Sequence, residues 1–152
     1  MSDMRDLYQE FILDHHKKPR NYGKLEGANR ESEGYNPLCG DRVTIYLAIE
    51  DGVIKEVMWE GSGCAICTAS ASVMTEVLKG KSVESAEELF GKFHDLVTGD
   101  PCETPSTEGL GKLAVFFGVR EFPVRVKCAT LPWHTLQAAL RKRDKTVSTE
   151  EA

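Results

Sequence analysis

The stretch Val43-Thr44-Ile45-Tyr46-Leu47-Ala48-Ile49-Glu50-Asp51-Gly52-Val53-Ile54-Lys55-Glu56-Val57-Met58-Trp59 decides the fold class. Val43, Ile45, Leu47 and Ile49 alternate strictly, the period of a strand with one buried face. Asp51-Gly52 interrupts the pattern, and a β-branched and aromatic run then reaches Trp59. Asp-Gly suits the positive φ angles of a two-residue hairpin turn, so the spacing predicts two paired antiparallel strands.

Upstream of the hairpin, residues 19–38 are rich in Gly, Asn, Glu and Pro without periodicity. They read as a long loop delivering the chain to Asn36-Pro37-Leu38-Cys39-Gly40-Asp41. Before that loop, Met4, Leu7, Tyr8, Phe11 and Ile12 recur at helical spacing, and Lys17-Lys18-Pro19 suits the end of an amphipathic helix. Downstream, Gly61-Ser62-Gly63-Cys64 breaks regularity, and Ile66, Ala69, Val73, Met74, Val77 and Leu78 then mark a helix closed by Gly80. Cys64 falls at or just before its start. Ser82 caps a further helix whose inner face is Val83, Ala86, Leu89, Phe90, Phe93, Leu96 and Val97, ending at Gly99.

Gly99 to Gly109, with Pro101 and Pro105, reads as a loop, and Leu110 to Phe117 as a short apolar helix. After Pro123 the chain passes Arg125, Lys127 and Cys128 and enters a last helix, with Pro132 in its first turn and Leu136, Ala139 and Leu140 facing inward. The polar tail from Lys142 to Ala152 reads as frayed. The expected architecture is α+β, a small antiparallel sheet near the N-terminus packed against several helices. One domain is expected over residues 1–152, ordered to about residue 143.

Composition narrows the function classes. With 41% hydrophobic residues in 152, the chain can bury a core without disulfides. A net charge of -5, from 19 basic against 24 acidic residues, offers nucleic acid or an anionic membrane no electrostatic attraction. The first residues lack the uninterrupted apolar core of a signal peptide and no later run approaches a membrane span, so the cytoplasm is the expected compartment. There, five cysteines at irregular spacing argue for metal-bound, catalytic or buried thiols rather than a disulfide framework.

Cys39, Cys64 and Cys128 stand at element boundaries, where sites concentrate. A thiol near a helix N-terminus ionises more readily, and thiolate is both nucleophile and metal ligand. Asp41 follows Cys39 by two residues, so an extended backbone with Gly40 between them can point both side chains the same way. Three thiolates and a carboxylate suit zinc, and equally iron in a cluster; spacing alone separates neither metal, and buried or idle thiols compete with both readings. Cys64-Ala65-Ile66-Cys67 has the form of a redox pair but follows no strand of a βαβ unit, so Cys67 reads as a small helix residue packed near the site. Cys102 reads as a non-ligand, and His15, His16, His94 and His134 as surface or helix-face residues.

Three segments, Asn36-Pro37-Leu38-Cys39-Gly40-Asp41, Gly61-Ser62-Gly63-Cys64-Ala65-Ile66 and Arg125-Val126-Lys127-Cys128-Ala129-Thr130-Leu131, resemble in order the ligand segments of the IscU/SufU family. Ala69-Ser70-Ala71-Ser72 and the Tyr8 to Asn21 segment add to a resemblance running from the first helix to about residue 143. Lys127 stands where IscU-type scaffolds usually have His, and Cys128 follows Cys64 by 64 positions, a longer spacing than in IscU, so the chain is most similar to the SufU side. The resemblance implies the SufE/NifU-like fold and zinc held by Cys39, Asp41, Cys64 and Cys128, with Cys39 accepting persulfide sulfur from a SufS-like cysteine desulfurase. It implies a zinc-dependent sulfurtransferase-type carrier rather than a turnover enzyme, serving downstream cluster assembly proteins. Its other branch implies a scaffold carrying a transient [2Fe-2S] cluster on Cys39, Cys64 and Cys128. Arg125 is a further candidate, placed to pair with Asp41 or to steer an anionic persulfide, with a solvated surface arginine as the competing reading.

Overall fold

A computed structural model describes residues 3–37, 39–99, 108–141 and 148–149, with side chains at 3–8 and 121 left aside. The expected hairpin is present: β2 (Asp41–Glu50) pairs antiparallel with β3 (Val53–Ser62), Glu50 opposite Val53. Asp51 and Gly52 have φ of 52° and 74°, both positive as a two-residue hairpin turn with the strands' own twist requires. Val43, Ile45 and Leu47 are fully buried, so the alternation correctly named the inner face.

The expected loop over 19–38 is in part a strand. Residues Arg30–Asn36 form β1, antiparallel to β2 with Asn36 opposite Asp41, giving a three-stranded sheet in the order β1-β2-β3. Its inward positions are Ser32, Gly34 and Asn36, none apolar, and the strand therefore carried no hydrophobic period. Close packing explains that choice at Gly34, where a Cβ would run into the Thr135 hydroxyl and lie 3.0 Å from the Leu131 side chain.

Helix α1 (Asp3–Lys17) ends just before Pro19. The chain then latches onto the outer side of β3: Gly23 donates its N–H to the Trp59 carbonyl, and Trp59 Nε1 donates to the Arg20 carbonyl at 3.0 Å. Helices α2 (Ala65–Leu78) and α3 (Val83–Thr98) have the predicted limits, with Ser82 Oγ accepting from the Ser85 N–H and Gly80 at a φ of 87°. The apolar segment expected over 110–117 is a 3-10 helix, Gly111–Glu121. Pro101, Cys102 and Pro105, and the tail apart from Ser148 and Thr149, lie outside the described residues.

The last helix starts earlier than the sequence suggested. Helix α4 (Pro123–Leu140) begins with Pro123 in its first turn, so Cys128 lies inside it and Pro132 is interior. Pro132 has no N–H for the carbonyl four residues back, which is that of Cys128, so the helical ladder is interrupted at this cysteine. Next to the gap, Ser70 Oγ of α2 donates to the Ala129 carbonyl at 2.6 Å. Trp59, Trp133, Phe93 and Phe116 are the largest buried side chains, with Phe93 stacked on Trp133 at 4.7 Å between centroids. Each such aromatic removes about 150–250 Å² from water, roughly 4–6 kcal/mol at 25 cal/mol/Å². Among the described residues no helix is long and apolar enough to cross a membrane.

Candidate metal centre

Two cysteines and an aspartate meet at one end of the sheet, with a third cysteine beside the aspartate. Cys39 sits in the turn joining β1 to β2, where Gly40 has a φ of 79°, the left-handed conformation glycine adopts without strain. Asp41 opens β2 and is fully buried. Cys64 is the N-cap of α2, and Cys128 lies in the second turn of α4. The sulfurs of Cys39 and Cys128 and a carboxylate oxygen of Asp41 all lie within 4.8 Å of one another.

Cys64 borders this group through Asp41. Asp41 Oδ1 accepts the Cys64 N–H at 2.8 Å, and Cys64 Sγ lies 3.7 Å from Oδ2. The Cys64 sulfur also accepts the Cys67 N–H at 3.4 Å, the N-cap bond that satisfies an otherwise orphaned donor of α2. A hydrogen bond from Cys128 and this amide together hold the Cys64 thiol down to about 7, against the opposing effects of burial and of Asp41. Cys128 is the proton-bearing partner, and its own thiol is pushed up by its bond to Cys64 and by burial. The two thiols therefore titrate as an interacting pair, with the proton on Cys128 directed at the Cys64 sulfur.

The donor set fits a metal ion on two observations. Tetrahedral zinc with bonds of about 2.3 Å to sulfur needs donor atoms roughly 3.5–4 Å apart, and the donor atoms of Cys39, Asp41 and Cys128 lie within 4.8 Å of one another. Beside Asp41, a Cβ on Gly63 would lie 2.5 Å from Oδ1, so the glycine leaves the space the carboxylate occupies. The borderline softness of zinc and the thiol preference of iron in clusters are both compatible with three thiolates and one carboxylate.

Other candidates are placed differently from expectation. Arg125 is exposed with its guanidinium 4.4 Å from the Phe122 ring centroid, and among the described residues no ion pair joins it to Asp41. Lys127 is exposed. Cys67 is 2% exposed in the core, and burial pushes its thiol up, away from nucleophile or ligand character. His15, expected on a surface or a helix face, lies on α1 and is 3% exposed, and its Nδ1 lies 2.7 Å from Ser72 Oγ, which also accepts the Arg20 N–H at 2.8 Å. The role of Gly63 had no sequence signal, because its meaning depends on a carboxylate 22 positions earlier in the chain.

A sheet-and-helix domain with cysteines and one buried aspartate grouped at the end of its sheet presents donors that could hold a metal ion. Residues 7–144 match the model of the NifU-like N terminal domain, and the chain belongs to that family. The zinc-dependent sulfurtransferase SufU of Bacillus subtilis is 36% identical over 94% of this chain and 95% of its own. The iron-sulfur cluster assembly scaffold protein IscU of Streptococcus pyogenes is also 36% identical, over 93% of this chain and 87% of its own. The crystal structure of FiSufU from Fervidobacterium islandicum, described as a SUF-system scaffold, superposes with a TM-score of 0.81 at 39% identity, covering 90% of this chain and 98% of its own. The α+β reading and the IscU/SufU resemblance both hold.

Proposed function

We propose that this chain serves iron-sulfur cluster assembly by accepting sulfur from a cysteine desulfurase at Cys39, within a zinc site formed by Cys39, Asp41, Cys64 and Cys128. The asymmetry of the donor set carries the reading. Asp41 and Cys128 are buried; Cys39 and Cys64 are both exposed, but Cys64 is tied through its N–H to Asp41 and through its sulfur to the Cys67 N–H, whereas Cys39 lies on a turn, its sulfur 3.7 Å from the Asn36 carbonyl. One thiol can leave while the others hold. Zinc bound here would keep the thiols deprotonated and protected without changing redox state.

In the transfer, the Cys39 thiolate attacks the terminal sulfur of the desulfurase's cysteine persulfide. A new sulfur–sulfur bond forms at Cys39, the donor's bond breaks, and the donor cysteine leaves as thiolate, so the step needs no outside oxidant or reductant. The near full-length likeness to a protein named a zinc-dependent sulfurtransferase supports this reading, as do Lys127 and the long Cys64–Cys128 spacing. The chain then acts as a carrier, with a cytoplasmic desulfurase before it and cluster assembly proteins after it. Exposed Arg125 is available to steer the anionic persulfide.

A second reading is favoured by the equal identity to a scaffold IscU: a [2Fe-2S] cluster built as cargo on Cys39, Cys64 and Cys128. Elemental analysis of protein purified anaerobically separates the two. Near-stoichiometric zinc without acid-labile sulfide is the expected result; iron with matching sulfide overturns the sulfur-acceptor reading in favour of the scaffold.

A further inference from the structure

Asn36 ends β1, is fully buried, and precedes Cys39 by three residues. Its carbonyl accepts the Gly40 N–H at 2.8 Å and faces Cys39 Sγ at 3.7 Å, so the position of Asn36 sets the turn that carries the exposed thiol. Its side chain is held by two residues from the far end of the chain. Asn36 Oδ1 accepts from Ser148 Oγ at 2.9 Å and from the Thr149 N–H at 2.8 Å, and Nδ2 donates to Thr149 Oγ1 at 2.7 Å. The Thr149 hydroxyl in turn donates a hydrogen bond to the Lys127 carbonyl at 2.9 Å. Lys127 immediately precedes Cys128. A single hydroxyl thus ties the strand end that carries Cys39 to the helix that carries Cys128.

We propose that Ser148-Thr149 is a positioning clasp on the Cys39 turn. Engaged, it holds that turn against the first turns of α4, with Cys39 beside Asp41 and Cys128. Released, it frees the turn to carry Cys39 away from them. A buried amide requires partners, and the clasp supplies three hydrogen bonds to that of Asn36. Both clasp residues are only half-buried, so water can replace them at the same polar atoms, which makes the contact releasable. The proposal deepens the sulfur-acceptor reading by naming what restrains Cys39, but its geometry stands without the transfer step.

Residue-resolved alkylation tests it. Wild-type protein, Thr149→Val, Thr149→Ser and a chain ending at Val147 are treated with N-ethylmaleimide, each both zinc-loaded and chelator-treated, and modification of every cysteine is followed by peptide mass spectrometry. Thr149→Val removes both hydroxyl bonds at nearly constant shape, whereas Thr149→Ser keeps them. Expected is a Cys39 rate roughly 2- to 10-fold higher in Thr149→Val and in the shortened chain, the population change set by a lost net hydrogen bond. Cys64 and Cys67 keep their rates, and Thr149→Ser behaves as wild type. An unchanged Cys39 rate in the shortened chain overturns the clasp, as does a rise shared by all cysteines, which reports general loosening. The chelator-treated arm involves neither metal nor desulfurase, so failure of the clasp and failure of sulfur acceptance give different results.

Discussion

The Cys64–Cys128 pair gives the site a measurable pH signature in metal-free protein. Cys64 is held down to about 7 from an ordinary 9.0, first by the hydrogen bond from Cys128. Because the thiolate is the stabilised form, it survives to lower pH than in an ordinary cysteine. At pH 7 about half of the Cys64 population is ionised, against about 1% at the ordinary value, a roughly 50-fold difference in thiolate. Nucleophilicity falls as the thiol becomes more acidic, with a Brønsted slope of about 0.4–0.5, which over two units removes roughly 8-fold. The net expectation is alkylation of Cys64 about 6-fold faster at pH 7 than for an ordinary thiol of equal exposure. Iodoacetamide rates at the Cys64 peptide, followed from roughly pH 5.5 to 9.5, should rise with a midpoint near 7, and Cys128→Ala should move that midpoint upward. A midpoint near 9 in the folded protein, or one that Cys128→Ala leaves in place, refutes the paired-thiol account.

Further outcomes follow from the same geometry. Gly63→Ala would place a Cβ 2.5 Å from Asp41 Oδ1 and drive the carboxylate off the Cys64 N–H. If the site loses what that charge-assisted bond was worth, about 1.5–3 kcal/mol, zinc affinity falls roughly 10- to 150-fold in competition with a chromophoric chelator, and an unchanged affinity rejects the role of Gly63. Ser72→Ala strips the partner from His15 Nδ1 and the Arg20 N–H, and urea unfolding should show a loss of about 1–3 kcal/mol for each group left unsatisfied; a loss near zero means water has entered. Burial lowers the pKa of His15 and of His134 below the ordinary 6.5, favouring the neutral ring in the folded state. Their contribution to stability is full above 6.5 and is lost as pH falls through the folded values. The urea midpoint should therefore decline from about pH 7 to 5, less steeply in His15→Gln; equal slopes remove His15 from the account.

The parts of the fold that sequence revealed are those in which local chemistry and tertiary need coincide. Alternation at Val43, Ile45 and Leu47, the Asp51-Gly52 turn, the Ser82 cap and the Gly80 terminator each act within a few residues, and each appears where expected. Strand β1 was hidden because α4 lies so close that its inward positions hold Ser32, Gly34 and Asn36, which read as loop composition. The start of α4 was misjudged because Pro132 suggested a first turn, although the helix tolerates it in its interior. At the site, the three cysteine segments were legible, but their grouping was implied by the family resemblance alone and by no local pattern, since in physical terms it depends on pairing β1 with β2 and docking α4 on the sheet. Likewise, nothing local marks His15 as buried or Asn36 as the anchor of Ser148 and Thr149, which lie 112 and 113 positions away.

The most direct test of sulfur acceptance at Cys39 is peptide mass spectrometry of the protein after incubation with a cysteine desulfurase and cysteine, with free thiols and persulfides blocked at quench. The account predicts the mass increment of one sulfur atom on the Cys39 peptide, absent from Cys39→Ser while that variant keeps its fold by circular dichroism. An increment confined to Cys64, Cys67 or Cys128, or none at all beside an active desulfurase, contradicts it.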